Sequence, residues 1–276
     1  MEKYQQSTWR VIEHNPSRGA WNMAVDEAIL ESVFTGDSLP TLRLYAWEPA
    51  CLSLGHAQPF NEVNMHALNT RGWDVVRRPT GGRAILHVDE LTYAVIAPEN
   101  EPRVQGGVLD SYLRLSAALL EVLRILGLKP QAQPQRSKIR NEKPNPVCFE
   151  VPSNYEITVN GKKLIGSAQA RRKEGILQHG ALPLYGDLSR IISTLQFPDV
   201  AARTQAKTRL LAHATTVEYE LGNACDWQHA SDAFQQAFKK VLNLNLHQAT
   251  LTEKEIIRAQ ELVEQKYANP TWTKRI

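Results

Sequence analysis

Two long segments of the chain repeat apolar residues at the spacing of an amphipathic helix. Residues 19–34 and 109–126 both follow the i, i+3/i+4 pattern that collects apolar side chains on one helical face. Gly127 is the expected C-cap of the second segment. Asp26 and Glu27 fall within the first, where a solvated face is the simplest interpretation. The pattern therefore predicts two long helices, with both of these carboxylates in water.

Shorter apolar runs predict strands before and after the second helix. The predicted strands cover residues 9–13, 41–46, 51–54, 73–78, 84–86, 91–96, 155–159, 162–165 and 176–184. Strands 84–86 and 91–96 are expected to pair with each other, because a short connection separates them. Residues 61–68 suggest a short helix, and residues 130–146, rich in Pro, Gln, Lys and Arg, suggest a long loop.

The pattern becomes helical again from about Thr204. Residues 225–241 place apolar side chains on one face, and Thr252 opens a capping box before the last apolar run. This change predicts a boundary between a strand-rich part, residues 1–203, and a helical C-terminal segment, residues 204–276. The C-terminal segment could equally pack on the same core.

Composition and charge are those of an ordinary globular protein. The 276 residues are 42% hydrophobic and 22% charged, and a net charge of +3 is too small to indicate nucleic-acid binding. Three scattered cysteines do not make a disulfide framework, and no Cys or His spacing suggests a metal. Because we find neither a signal-like N-terminus nor an apolar run of about 18 residues, we expect a cytoplasmic protein and no membrane partner.

A hairpin in the second half of the chain brings candidate chemistry together. Asn160-Gly161 is a dipeptide that type I′ turns prefer, because both central residues need a positive φ. Side chains alternate along a strand, so Lys162 and Lys163 should point to opposite faces. Residues 166–168, Gly-Ser-Ala, are small enough to let a ligand approach the backbone.

Cys148 precedes this hairpin. A cysteine thiolate is a nucleophile, and a nearby lysine can lower the thiol pKa or carry protons. Alternatively, Cys148 is a small buried apolar residue and the lysines are solvated. The residues by themselves leave both interpretations open.

Three arginines surround a Gly81-Gly82 turn. Arg77 and Arg78 precede the turn and Arg83 follows it, so backbone N–H groups and positive charge would meet there. Such a turn could bind a phosphate, a carboxylate or a carbonyl oxygen, or it could be a plain turn. It is not a Walker loop, because the G-x-x-x-x-G-K-[ST] pattern is absent.

Three segments carry a family resemblance. RRPTGGRAILHVDELTYAV (77–95) and NGKKLIGSAQARRKEGILQHGALPL (160–184) resemble motifs of the lipoate–protein ligase, octanoyltransferase and biotin ligase superfamily. CFEVPSNYE (148–156) is similar to the LipM-type octanoyltransferases, whereas typical lipoate ligases carry an Arg-Asn-Asp-like stretch at Cys148. The resemblance implies an α/β (α+β) fold with a mixed, largely antiparallel sheet flanked by helices and a helical C-terminal extension. Residues 1–203 would then be the catalytic domain.

The resemblance also implies a site. Cys148 would be the nucleophile that holds a thioester, and Lys163 the polar partner near the acyl carbonyl. An acyl pocket would be lined by Arg78, Gly81, Gly82 and His87 on one side and by Gly166, Ser167 and Ala168 on the other. Covalent transfer between thioesters needs no ATP, so no cofactor is expected.

The activity implied by the resemblance is octanoyl transfer for lipoate biosynthesis. The donor would be octanoyl-acyl carrier protein, and the acceptor a lysine of a lipoyl domain such as the glycine cleavage H protein. The alternatives are an ATP-dependent lipoate–protein ligase, a lipoyl amidotransferase and a non-catalytic module that binds a lipoyl or biotinyl domain. Both protein partners are usually acidic, so the basic segments 136–143 and 171–173 are candidate docking surfaces on an expected monomer.

Overall fold

The computed structural model describes residues 4–134 and 155–276. Its strands are β1 (Ser7–Glu13), β2 (Thr41–Tyr45), β3 (Cys51–Leu54), β4 (Asp74–Arg77), β5 (Ile85–His87), β6 (Glu90–Ala97), β7 (Pro130–Pro134), β8 (Tyr155–Val159), β9 (Lys162–Arg172), β10 (Gly175–Pro183) and β11 (Leu244–Gln248). Its helices are α1 (Gly19–Thr35), α2 (Met65–Arg71), α3 (Val108–Ile125), α4 (Val200–His213), α5 (Val217–Leu221), α6 (Trp227–Leu242), α7 (Glu253–Leu262) and α8 (Pro270–Thr273). None of the described helices is both long and apolar enough to cross a membrane.

Within the described residues, eight strands form one large sheet in the order β11-β1-β2-β6-β10-β9-β8-β7. β1 lies parallel to β11 and β2, and the other neighbours are antiparallel. The predicted mixed, largely antiparallel sheet flanked by helices is thus confirmed. The loop predicted from residue 130 is wrong over β7. Its Pro130 and Pro134 suggest a loop, but an edge strand tolerates proline because one of its sides needs no partner.

A smaller sheet pairs β3 with β4 on one side and β5 on the other. The predicted pairing of residues 84–86 with residues 91–96 is therefore wrong. β5 pairs with β3, whereas β6 lies between β2 and β10. The bend at Val88-Asp89 carries the chain from one sheet to the other, and a cleft lies between the two sheets.

Helices cover both faces of the large sheet. Tyr93 and Val95 of β6 join an apolar cluster with α3 and α6, and Ala94 and Ile96 join another cluster with α1. Because alternate residues of a strand point to opposite faces, these clusters lie on opposite sides of the sheet. The cleft opens on the α1 side, since Met23 of α1 lines it.

The C-terminal segment packs on the same sheet. β11 pairs with β1, and α6 adds Phe234 and Phe238 to the apolar cluster beneath α3. The predicted boundary between residues 203 and 204 falls inside α4. Thr252 forms the predicted capping box, in which its hydroxyl accepts from the Glu255 N–H at 3.2 Å.

Candidate active site

The cleft between the two sheets gathers six of the seven residues predicted to line an acyl pocket. These six are Arg78, Gly82, His87, Gly166, Ser167 and Ala168. The seventh, Gly81, contributes its carbonyl oxygen, which accepts from Arg78 Nη2 at 2.8 Å. Met23, Tyr45 and Trp47 add an apolar wall that was not predicted. The fold therefore unites two sequence motifs that lie about 80 residues apart.

The arginines at the Gly81-Gly82 turn are structural donors. The Arg78 guanidinium donates to the carbonyls of Ser53, Gly81 and Arg83 at 3.0, 2.8 and 2.7 Å. Arg77 is fully buried and donates to the carbonyls of Gly55 and Gln58. Both side chains therefore brace the turn, while Arg77 Nη2 is buried with no hydrogen-bond partner in the described part of the chain.

A close backbone contact holds this turn against the small sheet. A Cβ atom placed on Gly55 would lie 1.9 Å from the Gly82 carbonyl oxygen, so no larger residue fits at position 55 without a shift. The His56 N–H also donates to the Thr80 carbonyl at 2.8 Å. The end of β3 therefore sets the position of the pocket wall formed by Gly82.

His87 is held by a carboxylate on one nitrogen and a hydroxyl on the other. Its Nδ1 lies 2.6 Å from Glu90 Oε1, and its Nε2 lies 2.7 Å from Ser53 Oγ. The imidazole also stacks on the Trp47 indole, with ring centroids 4.0 Å apart. Since a carboxylate can only accept, Nδ1 carries the hydrogen, and the Nε2 of a neutral ring accepts from Ser53.

His179 is a second histidine on the pocket wall, and the sequence interpretation missed it. Its Nε2 lies 2.6 Å from Thr80 Oγ1, and its Nδ1 lies 3.4 Å from Asp26 Oδ2. Burial lowers the pKa of His179, and the attraction of Asp26 opposes this without cancelling it. His179 is therefore neutral near pH 7. The position alternates with apolar residues in β10, which gave no signal beyond that of an ordinary strand.

Asp26 is completely buried, and the prediction that it is solvated is wrong. Arg43 Nη1 donates to its carboxylate at 2.7 Å, and the Tyr45 hydroxyl donates at 3.0 Å. Burial raises the pKa of Asp26, but the charge of Arg43 and the bond with His179 outweigh it and hold the pKa below its usual value. Helical spacing in the sequence could not reveal these partners, because they come from β2 and β10.

Lys163 faces the side of β9 that carries Gly166 and Ala168. Lys163 pairs with Thr158, but Ile165 pairs with Ile157, so one extra residue of β9 forms a bulge. Without the bulge, alternation would have placed the Lys163 side chain on the same face of β9 as Ile165 and Ser167. Leu164 and Ile165 both enter the apolar cluster under α3, which agrees with the shift of face.

Lys163 is buried, although lysine side chains are mostly exposed. Its side chain is 5% exposed, and Nζ lies 3.2 Å from Glu156 Oε1. The Lys163 carbonyl accepts from the Thr215 N–H at 3.1 Å, which fixes this strand residue from the α4–α5 connection. Burial and these contacts hold the Lys163 side chain in one place.

Two of the sequence predictions lie outside the described residues, namely Cys148 and the basic segment 136–143. The other cysteines, Cys51 and Cys225, are buried, and burial raises the pKa of both thiols. Neither thiol is therefore activated as a nucleophile. In the described part of the chain, no three His, Cys, Asp or Glu side chains gather as metal ligands.

The three basic residues of the predicted docking turn 171–173 differ in their contacts. Arg171 donates to the Val104 carbonyl at 3.2 Å, and Arg172 donates to Glu27 at 3.2 Å. Lys173 is exposed. Two of the three basic side chains therefore brace the fold.

The fold agrees with comparisons to known proteins. Residues 18–239 match the family model of the lipoyl protein ligase A/B catalytic domain. The chain therefore belongs to this family. Over 272 residues it is 39% identical to octanoyltransferase LipM of Brevibacillus brevis, covering 97% of this chain and 99% of that protein. Over 269 residues it is 40% identical to octanoyltransferase LipM of Moorella thermoacetica, covering 97% and 98%.

A solved structure gives the same result for the fold. The chain superposes on the bipartite lipoate protein ligase of Thermoplasma acidophilum with a TM-score of 0.79 and 26% identity. The match covers 97% of this chain and 96% of the archaeal chain. Sequence and structure comparisons thus agree on the family over almost the whole chain.

Proposed function

We propose that this protein is an octanoyltransferase that modifies lipoyl domains. The donor is octanoyl-acyl carrier protein, and the acceptor is a lysine of a lipoyl domain such as the glycine cleavage H protein. The observation that carries the proposal is the 39–40% identity to octanoyltransferases LipM along almost the entire chain. The pocket with its apolar wall supports it, since an eight-carbon chain needs an apolar site.

The first step transfers the acyl group to Cys148. The Cys148 sulfur attacks the thioester carbonyl carbon, a new C–S bond forms, and the carrier's thiol leaves with the proton that Cys148 gave up. One thioester replaces another, so the step is nearly isoenergetic and needs no ATP. Met23, Tyr45 and Trp47 supply an apolar wall for the alkyl chain.

The second step forms the amide. The acceptor lysine nitrogen attacks the octanoyl-Cys148 carbonyl carbon, the C–S bond breaks, and Cys148 is released as a thiol. The amine must lose a proton as it attacks, and Lys163 passes that proton to the leaving sulfur. An amide is more stable than a thioester, so this step runs downhill. Catalysis then depends on proximity and on proton transfer. We place the reaction in the cytoplasm, where the thiol stays reduced.

An ATP-dependent lipoate–protein ligase is the second candidate. The likeness to the archaeal ligase favours it, because the same fold serves that protein. The two activities differ in what they consume. A ligase needs ATP and a free acid, whereas the transferase needs only an acyl thioester.

Intact-protein mass spectrometry separates the candidates. We expect that incubation with octanoyl-acyl carrier protein, without ATP, adds one octanoyl group that hydroxylamine removes. The group should map to Cys148 and be absent from Cys148→Ala. The matched control is Cys51→Ala, which should still be acylated because Cys51 is a buried core residue. Transfer that requires ATP and free octanoate or lipoate would favour the ligase, and full transfer by Cys148→Ala would overturn the covalent mechanism.

A further inference from the structure

Cationic and aromatic side chains gather around Trp272 at the C-terminal end of the described chain. The Arg275 guanidinium carbon lies 4.0 Å from the Trp272 ring centroid, and Lys266 Nζ lies 4.4 Å from it. The His56 ring meets the same indole edge-on, with ring centroids 6.0 Å apart. Arg172, the last residue of β9, is connected to this group through Glu27, which pairs with both Arg172 and Lys266. We call His56, Arg172, Lys266, Trp272 and Arg275 the Trp272 cluster.

The Trp272 cluster holds more positive than negative charge. Lys266 and Arg172 share one carboxylate, that of Glu27, at 2.6 and 3.2 Å. Burial lowers the pKa of His56, and the nearby charges of Arg275 and Arg172 lower it further. His56 therefore stays uncharged at neutral pH, while the cations around it set up a positive potential.

The cluster is fixed in place by the C-terminal residues. The Phe60 N–H donates to the Ile276 carbonyl at 2.7 Å, and Trp272 Nε1 donates to the Arg77 carbonyl at 2.8 Å. Arg77 in turn donates through Nε to the Thr273 carbonyl at 3.0 Å. The charges of the Trp272 cluster are thus held close together on an anchored segment. This anchoring lowers the conformational entropy that is lost when the cluster binds a partner.

The cluster also borders the pocket. Arg275 Nη2 donates to the His56 carbonyl at 2.8 Å, and the His56 N–H donates to the Thr80 carbonyl at 2.8 Å. Thr80 begins the turn whose Gly82 lines the cleft. Two hydrogen bonds therefore connect Arg275 to the pocket wall.

We propose that the Trp272 cluster docks the acyl donor, an acidic carrier protein that presents its octanoyl thioester on a phosphate-containing arm. This inference rests on the proposed function. Gly82 lines the cleft and the cluster lies beside its turn, so an arm that leaves the cleft across this turn passes the cluster. Guanidinium and ammonium groups bind phosphate and carboxylate well, and complementary charge speeds the encounter of the two proteins. Arg275 is the best probe because it is exposed.

Steady-state kinetics with Arg275→Glu tests the docking surface. We expect the KM for octanoyl-acyl carrier protein to rise about tenfold, with kcat and the KM for the lipoyl domain nearly unchanged, because a peripheral charge acts on encounter. Arg275→Gln should raise that KM by about threefold, since it loses only the attraction. The matched control is Lys239→Glu on α6, an exposed charge reversal on the opposite side of the sheet, which should change neither KM.

Octanoyl-pantetheine, a small donor without phosphate or carrier, checks that the pocket is intact. All three variants should use it as well as the wild type does. If Arg275→Glu disturbs the pocket and fails this check, Arg275→Gln carries the test alone. An unchanged carrier KM in a variant that passes would overturn the inference, and so would a rise in the lipoyl-domain KM instead. A wild-type protein that fails to use octanoyl-acyl carrier protein would refute the proposed function itself, which is a distinct result.

Discussion

Helices α1 and α3 cover opposite faces of one sheet and bury different kinds of side chain. α3 turns Leu115, Leu119 and Leu123 into an apolar cluster. α1 buries the carboxylates of Asp26 and Glu27 next to its apolar residues. The candidate pocket lies on the α1 side. The sequence interpretation predicted both helices, and both are confirmed, but the expectation that Asp26 and Glu27 are solvated is wrong.

The difference arises from partners that are distant in the sequence. Asp26 is paired by Arg43 of β2, and Glu27 by Lys266 and Tyr267 near the C-terminus. A buried carboxylate is tolerable only when such groups compensate its lost hydration. α3 buries Ser111 and Ser116 beside its leucines, and Ser111 bonds Gln169, but it buries no carboxylate.

Breaking the polar network should have the largest effect on stability. Asp26→Ala leaves Arg43 as an uncompensated charge in a fully buried site. We expect the free energy of unfolding to fall by about 3–5 kcal/mol, measured by urea denaturation. Transfer activity per folded molecule should also fall, since His179 loses its carboxylate partner.

The matched variant replaces both partners. Asp26→Leu combined with Arg43→Met should be more stable than Asp26→Ala alone, because an apolar pair leaves no buried charge. If the double variant were less stable than Asp26→Ala, the destabilisation would come from lost packing and not from the unpaired guanidinium.

A cavity on the α3 side should affect stability alone. Leu119 is fully buried, and Leu119→Ala should lower the free energy of unfolding by about 2–5 kcal/mol through lost contacts and the space left behind. Activity per folded molecule should stay near that of the wild type, in contrast with Asp26→Ala. A large loss of kcat in folded Leu119→Ala would show that the two faces are coupled.

The smallest expected effect is a pH dependence of the free energy of unfolding, which arises from groups on the α1 side. Burial and the neighbouring Arg43 charge lower the pKa of His14 from 6.5 to about 4. As pH falls, the unfolded chain therefore binds a proton at His14 before the folded protein does. The free energy of unfolding then decreases between about pH 6.5 and about pH 4. Below that range, Asp26 acts in the same direction, because its pKa is also lowered and its ion pair is lost on protonation.

His14→Gln is the check on this pH dependence. Glutamine can accept the bond that Arg43 Nε donates to His14 Nδ1, but it does not titrate. Urea unfolding between pH 4 and 7 should show a shallower slope for His14→Gln than for the wild type. An identical slope would assign the pH dependence to other groups, whereas Leu119→Ala should keep the wild-type slope at lower stability.

The residues themselves determined the features that depend on local backbone geometry. Asn160 and Gly161 adopt φ values of 49° and 78°, as the predicted type I′ turn requires, and they join β8 to β9. The Thr252 capping box and the C-cap region at Gly127, with a φ of 89°, also follow from nearby residues. Short-range sterics and hydrogen bonds decide such features, so a short window of sequence contains the necessary information.

Long-range contacts decided the rest. The pairing of β5 with β3, the burial of Asp26 and the place of Trp272 beside His56 each join residues far apart in the chain. Even the side of the sheet that Lys163 faces depends on a bulge set by its pairing with Thr158. Periodicity tells which residues leave water. Which neighbour they meet depends on how sheets and helices pack. Here that packing buried two acidic residues of an ordinary helix and brought one of them, Asp26, to the pocket residue His179.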